Sequence, residues 1–194
     1  MTALSRDARL ATWIAEEQAI RNQLAAPGIL SLAEVATMSP MDFFDGIGRG
    51  NLPSLQINAV LDFTPVQWAS GLFVFQGTPD QRHYNPLGSL HGGYIATLRD
   101  SCMGCAVHTL LKTGLAYTTA DLRVSYIRAL RSEAGPVRAE GRIIHVGRST
   151  ALAEAPTVRC RRAPLRRRLH HLSYSRHERA APERRCRCKM TASI

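Results

Sequence analysis

Within sixteen residues, from Asn85 to Asp100, the chain carries an asparagine, a histidine, two adjacent glycines and a carboxylate. Asn85-Pro86 and Gly88 mark a turn, and Gly92-Gly93 free the backbone where an apolar-periodic run begins, which is how a helix starts. The first turn of a helix holds N–H groups without intrahelical partners and a partial positive charge, so it can polarise a carbonyl whose oxygen is becoming an oxyanion. Asp100 follows about two and a half turns later, where a carboxylate can act as base or nucleophile toward an acyl carbon. Taken singly, these residues are not diagnostic. A lone helix carboxylate is ordinarily solvated, and a histidine beside a glycine pair is as readily a capping residue as a catalyst.

The element that would position them is one amphipathic helix. Ile95, Leu98, Cys102, Cys105 and Ala106 recur at three- and four-residue intervals as its buried stripe, and Asp100 lies off that stripe, roughly 140° around the axis from Ile95. Cys102 and Cys105 have metal or redox spacing, but no second pair follows at zinc-site spacing, and their place on the stripe favours buried thiols. Lys112-Thr113-Gly114 stops the helix. Beyond it, residues 119–126, 137–143 and 149–155 read as strands by their period of two, with Thr119, Asp121, Arg123 and Ser125 on one face and Ala120, Leu122, Val124 and Tyr126 on the other. One long helix followed by several strands is an α+β pattern.

Upstream, residues 5–24 read as a helix ended by Ala26-Pro27-Gly28, residues 31–37 as a short one, and Ser39-Pro40 as the start of a third. A breaker-rich stretch over residues 46–53 marks a domain boundary. Residues 55–61 suit a first strand or an approach segment. Residues 66–76 read as a single strand covered on both sides, with Trp68, Leu72 and Val74 opposite Phe73 and Phe75.

Charge is unevenly placed. Residues 1–155 carry 13 Lys plus Arg against 13 Asp plus Glu, and residues 156–194 carry 12 against 2, so the whole excess of +10 lies in the tail. A neutral body does not favour a nucleic-acid partner, although the tail by itself suits phosphates. No apolar run approaches a membrane span, and a reducing cytoplasm is the expected compartment.

The order Asn85-x-x-Gly88-x-x-His91-Gly92-Gly93, with Asp100 nine residues after His91 and Gly104 beyond it, resembles the hotdog-fold acyl-CoA thioesterases of the phenylacetic-acid-degradation type. The resemblance continues through Tyr117-Thr118-Thr119-Ala120-Asp121-Leu122, Ser125-Tyr126-Ile127-Arg128, Gly135-Pro136-Val137-Arg138-Ala139-Glu140-Gly141 and His145-Val146-Gly147-Arg148-Ser149. It implies a hotdog fold, an antiparallel sheet wrapped around one long central helix. Residues 1–50 would form an N-terminal helical extension, 51–155 the hotdog domain and 156–194 a basic tail.

The implied activity is hydrolysis of an acyl-CoA thioester to a free acid and CoA, by a homodimer or homotetramer whose sites are shared between subunits. By the resemblance, the N–H of Gly92 polarises the carbonyl, Asn85 and His91 position the thioester, and Asp100 of the facing subunit is general base or nucleophile. Thr119 takes the place of a water-holding hydroxyl, with Thr118 one residue away. Gly93, Arg128, Gly147, Arg148 and Ser149 are the substrate-binding candidates. Arg128 and Arg148, with Arg123, suit the CoA phosphates, though each singly reads equally well as a strand-end surface arginine. The resemblance calls for no metal and no cofactor beyond the CoA of the substrate.

In that family the strand at 149–155 turns back into a last strand in the middle of the sheet. Here Arg, Pro, His and Cys replace the alternating pattern after Ala155, so the last strand is expected to be missing or altered and the tail disordered or frameshifted. Codons compatible with residues 156–175 permit an adjacent frame that spells an Asp-Gly turn followed by an apolar strand, and residues 169–175 are a less fitting substitute. The alternative function is a non-catalytic hotdog protein that binds acyl-CoA or oligomerises, impaired by that altered C-terminus.

Overall fold

Helix α5 (Gly92–His108) forms the axis of the domain, and all five residues of the expected stripe are buried along it. The computed structural model describes residues 6–127, 129–130, 135–159 and 188–193. Among the described residues four α-helices precede α5: α1 (Arg6–Arg21), α2 (Leu32–Val35), α3 (Pro40–Gly48) and α4 (Gln56–Leu61). Ser31 and Ser39 cap α2 and α3 with their hydroxyls, and Pro40 takes the first position of α3, where its missing N–H costs nothing. Residues 56–61 are helix and not strand, because an apolar run of that length fits either period. Asp62 ends this helix in the left-handed conformation, at φ 53°.

Among the described residues seven strands follow one another as β1 (Phe63–Ala69), β2 (Leu72–Gly77), β3 (Thr118–Val124), β4 (Val137–Val146), β5 (Thr150–Glu154), β6 (Thr157–Arg159) and β7 (Cys188–Ser193). They form one sheet in the order β1-β2-β4-β5-β7-β3, each neighbour antiparallel, with the short β6 also paired to β4. The expected single strand over 66–76 is a hairpin. Ser70 and Gly71 make its turn, with Gly71 at φ +74°, and the reversal brings the Trp68 ring to 6.1 Å from Phe73, stacked on the face to which Trp68 was not assigned.

Phe73 and Phe75 pack on the α5 side within the main core. Gln76 points to the outer face, where α1 covers it: its amide donates to the Trp13 carbonyl at 3.0 Å and to Glu17, and it accepts from Arg138 at 2.6 Å. The helical extension shares the core of the domain, since Phe44 and Ile47 of α3 are buried in the same cluster as α5 and the strands. On the inner face, β4 meets α5 at Gly141, where a Cβ would lie 2.1 Å from the Cys102 carbonyl oxygen. Only a glycine lets the strand approach the helix that closely.

The central position expected to be empty is filled. Residues 188–193 lie between β5 and β3, pairing Ala151 with Ala192 on one side and Thr119 with Ala192 on the other. Met190 and Ala192 are fully buried, so this short polar–apolar alternation supplies the apolar face that the sheet needs. Residues 157–159 are also strand. The 160–187 stretch, including the 169–175 alternative, lies outside the described residues.

Candidate active site

The loop leading into α5 is built by its own polar side chains. Asp80 accepts from the Arg82 N–H, and the Asp80 N–H donates to Nδ1 of the buried His83. The Asn85 Oδ1 accepts from the N–H groups of Leu87 and Ser89 at 3.0 and 3.2 Å, while its Nδ2 donates to the Ser89 hydroxyl at 2.8 Å. Asn85 therefore shapes the turn before the helix, an Asx-turn. The His91 N–H then donates to the His83 carbonyl at 2.8 Å, which fixes the entry to α5.

At the helix tip the expected donors divide. His91 is the N-cap, and its Nδ1 accepts from the Gly93 N–H at 2.9 Å. Among the described residues no hydrogen bond engages the Gly92 N–H. One N–H is thus tied to a side chain while its neighbour stands at the positive end of the helix, unpaired.

Asp100 is half-buried, and its Oδ1 accepts from the Thr119 hydroxyl at 2.9 Å. The same hydroxyl lies 3.7 Å from the Met190 sulfur, a weaker acceptor than a carboxylate, so its single proton belongs to Asp100. Thr118, the alternative, makes no such contact among the described residues.

Strand β3 and its continuation run antiparallel along α5, and three contacts define the seam. Tyr117 lies over Gly104, where a Cβ would come 2.3 Å from its hydroxyl. Thr119 meets Asp100, and the Tyr126 hydroxyl donates to the Gly92 carbonyl at 2.8 Å. Positions 117 and 119 have odd parity and 126 even, so a regular strand could not turn all three toward one helix. A bulge between Thr119 and Asp121 solves this, because Ala120 is an extra residue facing no partner in β7. The result differs from the expected alternation: Thr119 shares the helix-facing side with Leu122 and Val124, which pack on the core.

The environment beside Asp100 is apolar and aromatic. Burial pushes the Cys105 thiol and the Tyr117 phenol well above their usual ranges, and the nearby Asp100 charge adds to both shifts. Both stripe cysteines are free and buried, and among the described residues no group of His, Cys, Asp or Glu has the makings of a metal site. Arg99, the neighbour of Asp100, is fully buried and donates to the Thr157 hydroxyl at 2.7 Å.

The remaining substrate-binding candidates separate from the helix tip. Gly147, Arg148 and Ser149 form the β4–β5 turn, with the Gly147 N–H donating to the Thr150 carbonyl at 2.7 Å. Because Thr150 pairs with Ser193 and Ser193 with Thr118, that turn sits two strand spacings, about 10 Å, from the start of β3. It belongs to the Asp100 end of the seam and not to the Gly92 end. Gly93 is committed to His91. Arg123 pairs with Asp121 at 3.1 Å on the exposed strand, and Arg128 lies outside the described residues. Sequence reasoning missed the contacts of Tyr117 and Tyr126 with α5, and the only signal for them was Gly104 one turn beyond Asp100.

Residues 87–155 match the family described as Thioesterase superfamily. VNG_1336C of Halobacterium salinarum, named for an expected esterase activity, is 38% identical over 73 residues, covering 37% of this chain and 46% of that protein. The chain spans about half the length of the curated relatives it matches. The PaaI protein from the phenylacetic acid degradation operon of E. coli is similar in structure, at TM-score 0.56 and 16% identity over 84% of this chain and 95% of that one. So is a phenylacetic acid degradation-related protein of Ralstonia eutropha, at TM-score 0.60 and 17% identity over 78% and 99%. At such identities the structural likeness is one of fold. Residues 87–155, which hold the helix tip, Asp100 and strands β3 to β5, are thus similar to the thioesterase superfamily, and the sheet wrapped on α5 has the hotdog fold of those structures.

Proposed function

We propose that the protein is an acyl-CoA thioesterase whose site is shared by two protomers. The observation that carries this reading is the unpaired Gly92 N–H at the tip of α5, with Asp100 held by Thr119 farther along the same helix. Eight residues at 1.5 Å each separate them by about 12 Å along the axis, too far for one protomer's pair to serve a single carbonyl. A second copy must bring its Asp100 to the first copy's tip. Among the described strands β3 stands at the end of the sheet order, and that edge suits the association, in a dimer or a dimer of dimers.

In the shared site the thioester oxygen accepts from Gly92 N–H, and the helix end stabilises the charge that grows there. The facing Asp100 takes a proton from water as the water oxygen bonds to the acyl carbon, and the Thr119 hydroxyl holds the carboxylate in place. The C–S bond then breaks and CoA leaves as the thiol with that proton, giving the free acid. Direct attack by the carboxylate followed by hydrolysis gives the same products. Asn85 and His91 shape the approach, and Arg148 with Ser149 and Gly147 meets the CoA end from the neighbouring turn. The reaction uses only water and acyl-CoA. With β7 filling the sheet between β5 and β3, the domain architecture supports turnover over a non-catalytic role caused by a lost strand. Among the described residues no helix is long and apolar enough to cross a membrane.

Thiol release from aromatic, hydroxylated aromatic and medium-chain acyl-CoAs tests the reading. At least one should turn over, and Asp100→Ala should lower its kcat by about 10²–10⁴. Turnover that persists undiminished in Asp100→Ala refutes the mechanism.

A further inference from the structure

Tyr126 stands just past β3, more than half exposed, with its ring over Gly92: a Cβ there would lie 3.1 Å from Cζ. Its hydroxyl donates to the Gly92 carbonyl at 2.8 Å. That carbonyl belongs to the peptide joining Gly92 to Gly93, and the N–H of the same peptide donates to His91 Nδ1 at 2.9 Å. A phenol, a peptide group and an imidazole nitrogen are thus in series, each acceptor being part of the next donor. Withdrawing electron density at a peptide oxygen strengthens its N–H as a donor, so the two bonds reinforce one another. Nδ1 can accept only while it carries no proton, and a neutral imidazole must then hold its proton on Nε2. His91 is exposed, so this Nε2–H is open to a ligand at the helix tip.

We propose that Tyr126 is a positioning residue: acting through the Gly92–Gly93 peptide, it holds His91 as the Nε2–H tautomer, so that this histidine meets the substrate as a hydrogen-bond donor and not as a base. The consequence for turnover rests on the thioesterase reading above, whereas the tautomer does not. Tyr117 and Thr119 touch α5 at or beyond Asp100 and make no contact with this peptide. Tyr126 is the side chain of β3's continuation that reaches this peptide, while farther on the Leu130 carbonyl accepts from the Leu90 N–H at 3.0 Å.

The test is long-range proton–nitrogen NMR of the histidine side chains in the 15N-labelled full chain at about pH 8, where imidazole is ordinarily neutral. The His91 signals are assigned by their loss in His91→Gln. The wild type should show an unprotonated Nδ1 and a protonated Nε2. Tyr126→Phe keeps the ring over Gly92 and removes only the hydroxyl. It should raise the share of the Nδ1–H form and lower kcat about three- to ten-fold, the range of one neutral hydrogen bond, with KM changed less than about two-fold. A wild-type His91 protonated on Nδ1, a tautomer ratio unmoved in Tyr126→Phe, or a shifted ratio with unchanged kcat overturns the inference. If neither protein releases thiol while the tautomer shift is present, the thioesterase reading fails and the relay stands.

Discussion

Equal amounts of Asp100→Asn and Gly92→Pro, unfolded together and allowed to reassociate, should recover about a quarter of wild-type turnover from two nearly inactive parents. Asparagine keeps an acceptor for the Thr119 hydroxyl and removes the base, a loss of about 10²–10⁴. Proline removes one N–H at the first helical position, where helices tolerate it. His91, at φ −63° and ψ 133°, already has the extended conformation that a residue before proline requires. A Cβ at this position lies nearest the Tyr126 side chain, at 3.1–3.3 Å, which can give way. Losing a single oxyanion donor costs about 10²–10³ in kcat. If each site takes Gly92 from one protomer and Asp100 from its partner, random pairing makes half the dimers mixed. Each mixed dimer has one intact site of two, hence about one quarter of the wild-type rate against about 1% or less for either parent. Steady-state thiol release at saturating acyl-CoA reads the result directly. A mixture no more active than the average of its parents would refute the shared site.

Other perturbations probe the supports. Gly141→Ala sets a methyl 2.1 Å from the Cys102 carbonyl oxygen and 2.4 Å from its carbon. That overpacking costs about 1–3 kcal/mol against the roughly 0.5–1 kcal/mol that alanine gains over glycine. Calorimetry should therefore show Tm lowered by a few degrees (roughly 2–8 °C), and an unchanged Tm would mean that α5 can back away freely. Thr119→Val keeps the β-branched shape on the edge strand and removes the bond to Asp100, so kcat should drop about ten-fold with stability held within about 0.5 kcal/mol. Equal kcat would show that the carboxylate needs no brace. Burial holds the His108 imidazole below its ordinary range. The unfolded chain therefore takes up a proton first as pH falls below about 6.5, and stability is lost from there down to the lower folded-state value. His108→Phe, which keeps a ring beside Phe43, Phe44 and Tyr117, should flatten that limb in urea melts at about pH 5 and 8; an unaltered slope would assign it elsewhere.

The parts legible in the sequence are those whose signals are local. The glycine pair, the stripe from Ile95 to Ala106 and the Ser39-Pro40 cap each lie within a turn or two of what they specify, and the structure shows the corresponding helices. Non-local partners decided the rest. Ser70-Gly71 is the only punctuation between β1 and β2, so two paired strands read as one. Residues 56–61 carry no period long enough to tell a helix from a strand. Cys188 to Ser193 alternates plainly, but its place depends on strands far upstream, and the basic stretch before it concealed the pattern. At the site, the placing of Gly92 at the start of α5 and of Asp100 farther along it was readable. The face on which Thr119 lies was not, because one additional residue in β3 inverts the phase of everything after it. Tyr126 was placed with Leu122 and Val124, and its contact with Gly92, 34 positions away, had no local signal.

The placement of residues 188–193 constrains the order in which the molecule assembles. Among the described strands, β3 is attached to the sheet solely through β7, which comes some 70 positions later in sequence. Closing so long a loop is entropically costly and slow compared with forming the β1–β2 hairpin or α5. The threonine that steadies Asp100 and the tyrosine that reaches Gly92 can thus be seated only late in folding. A chain without residues 188–193 would hold α5 and strands β1, β2, β4 and β5, while β3 and the two side chains carried by it and its continuation would have no described strand to pair with.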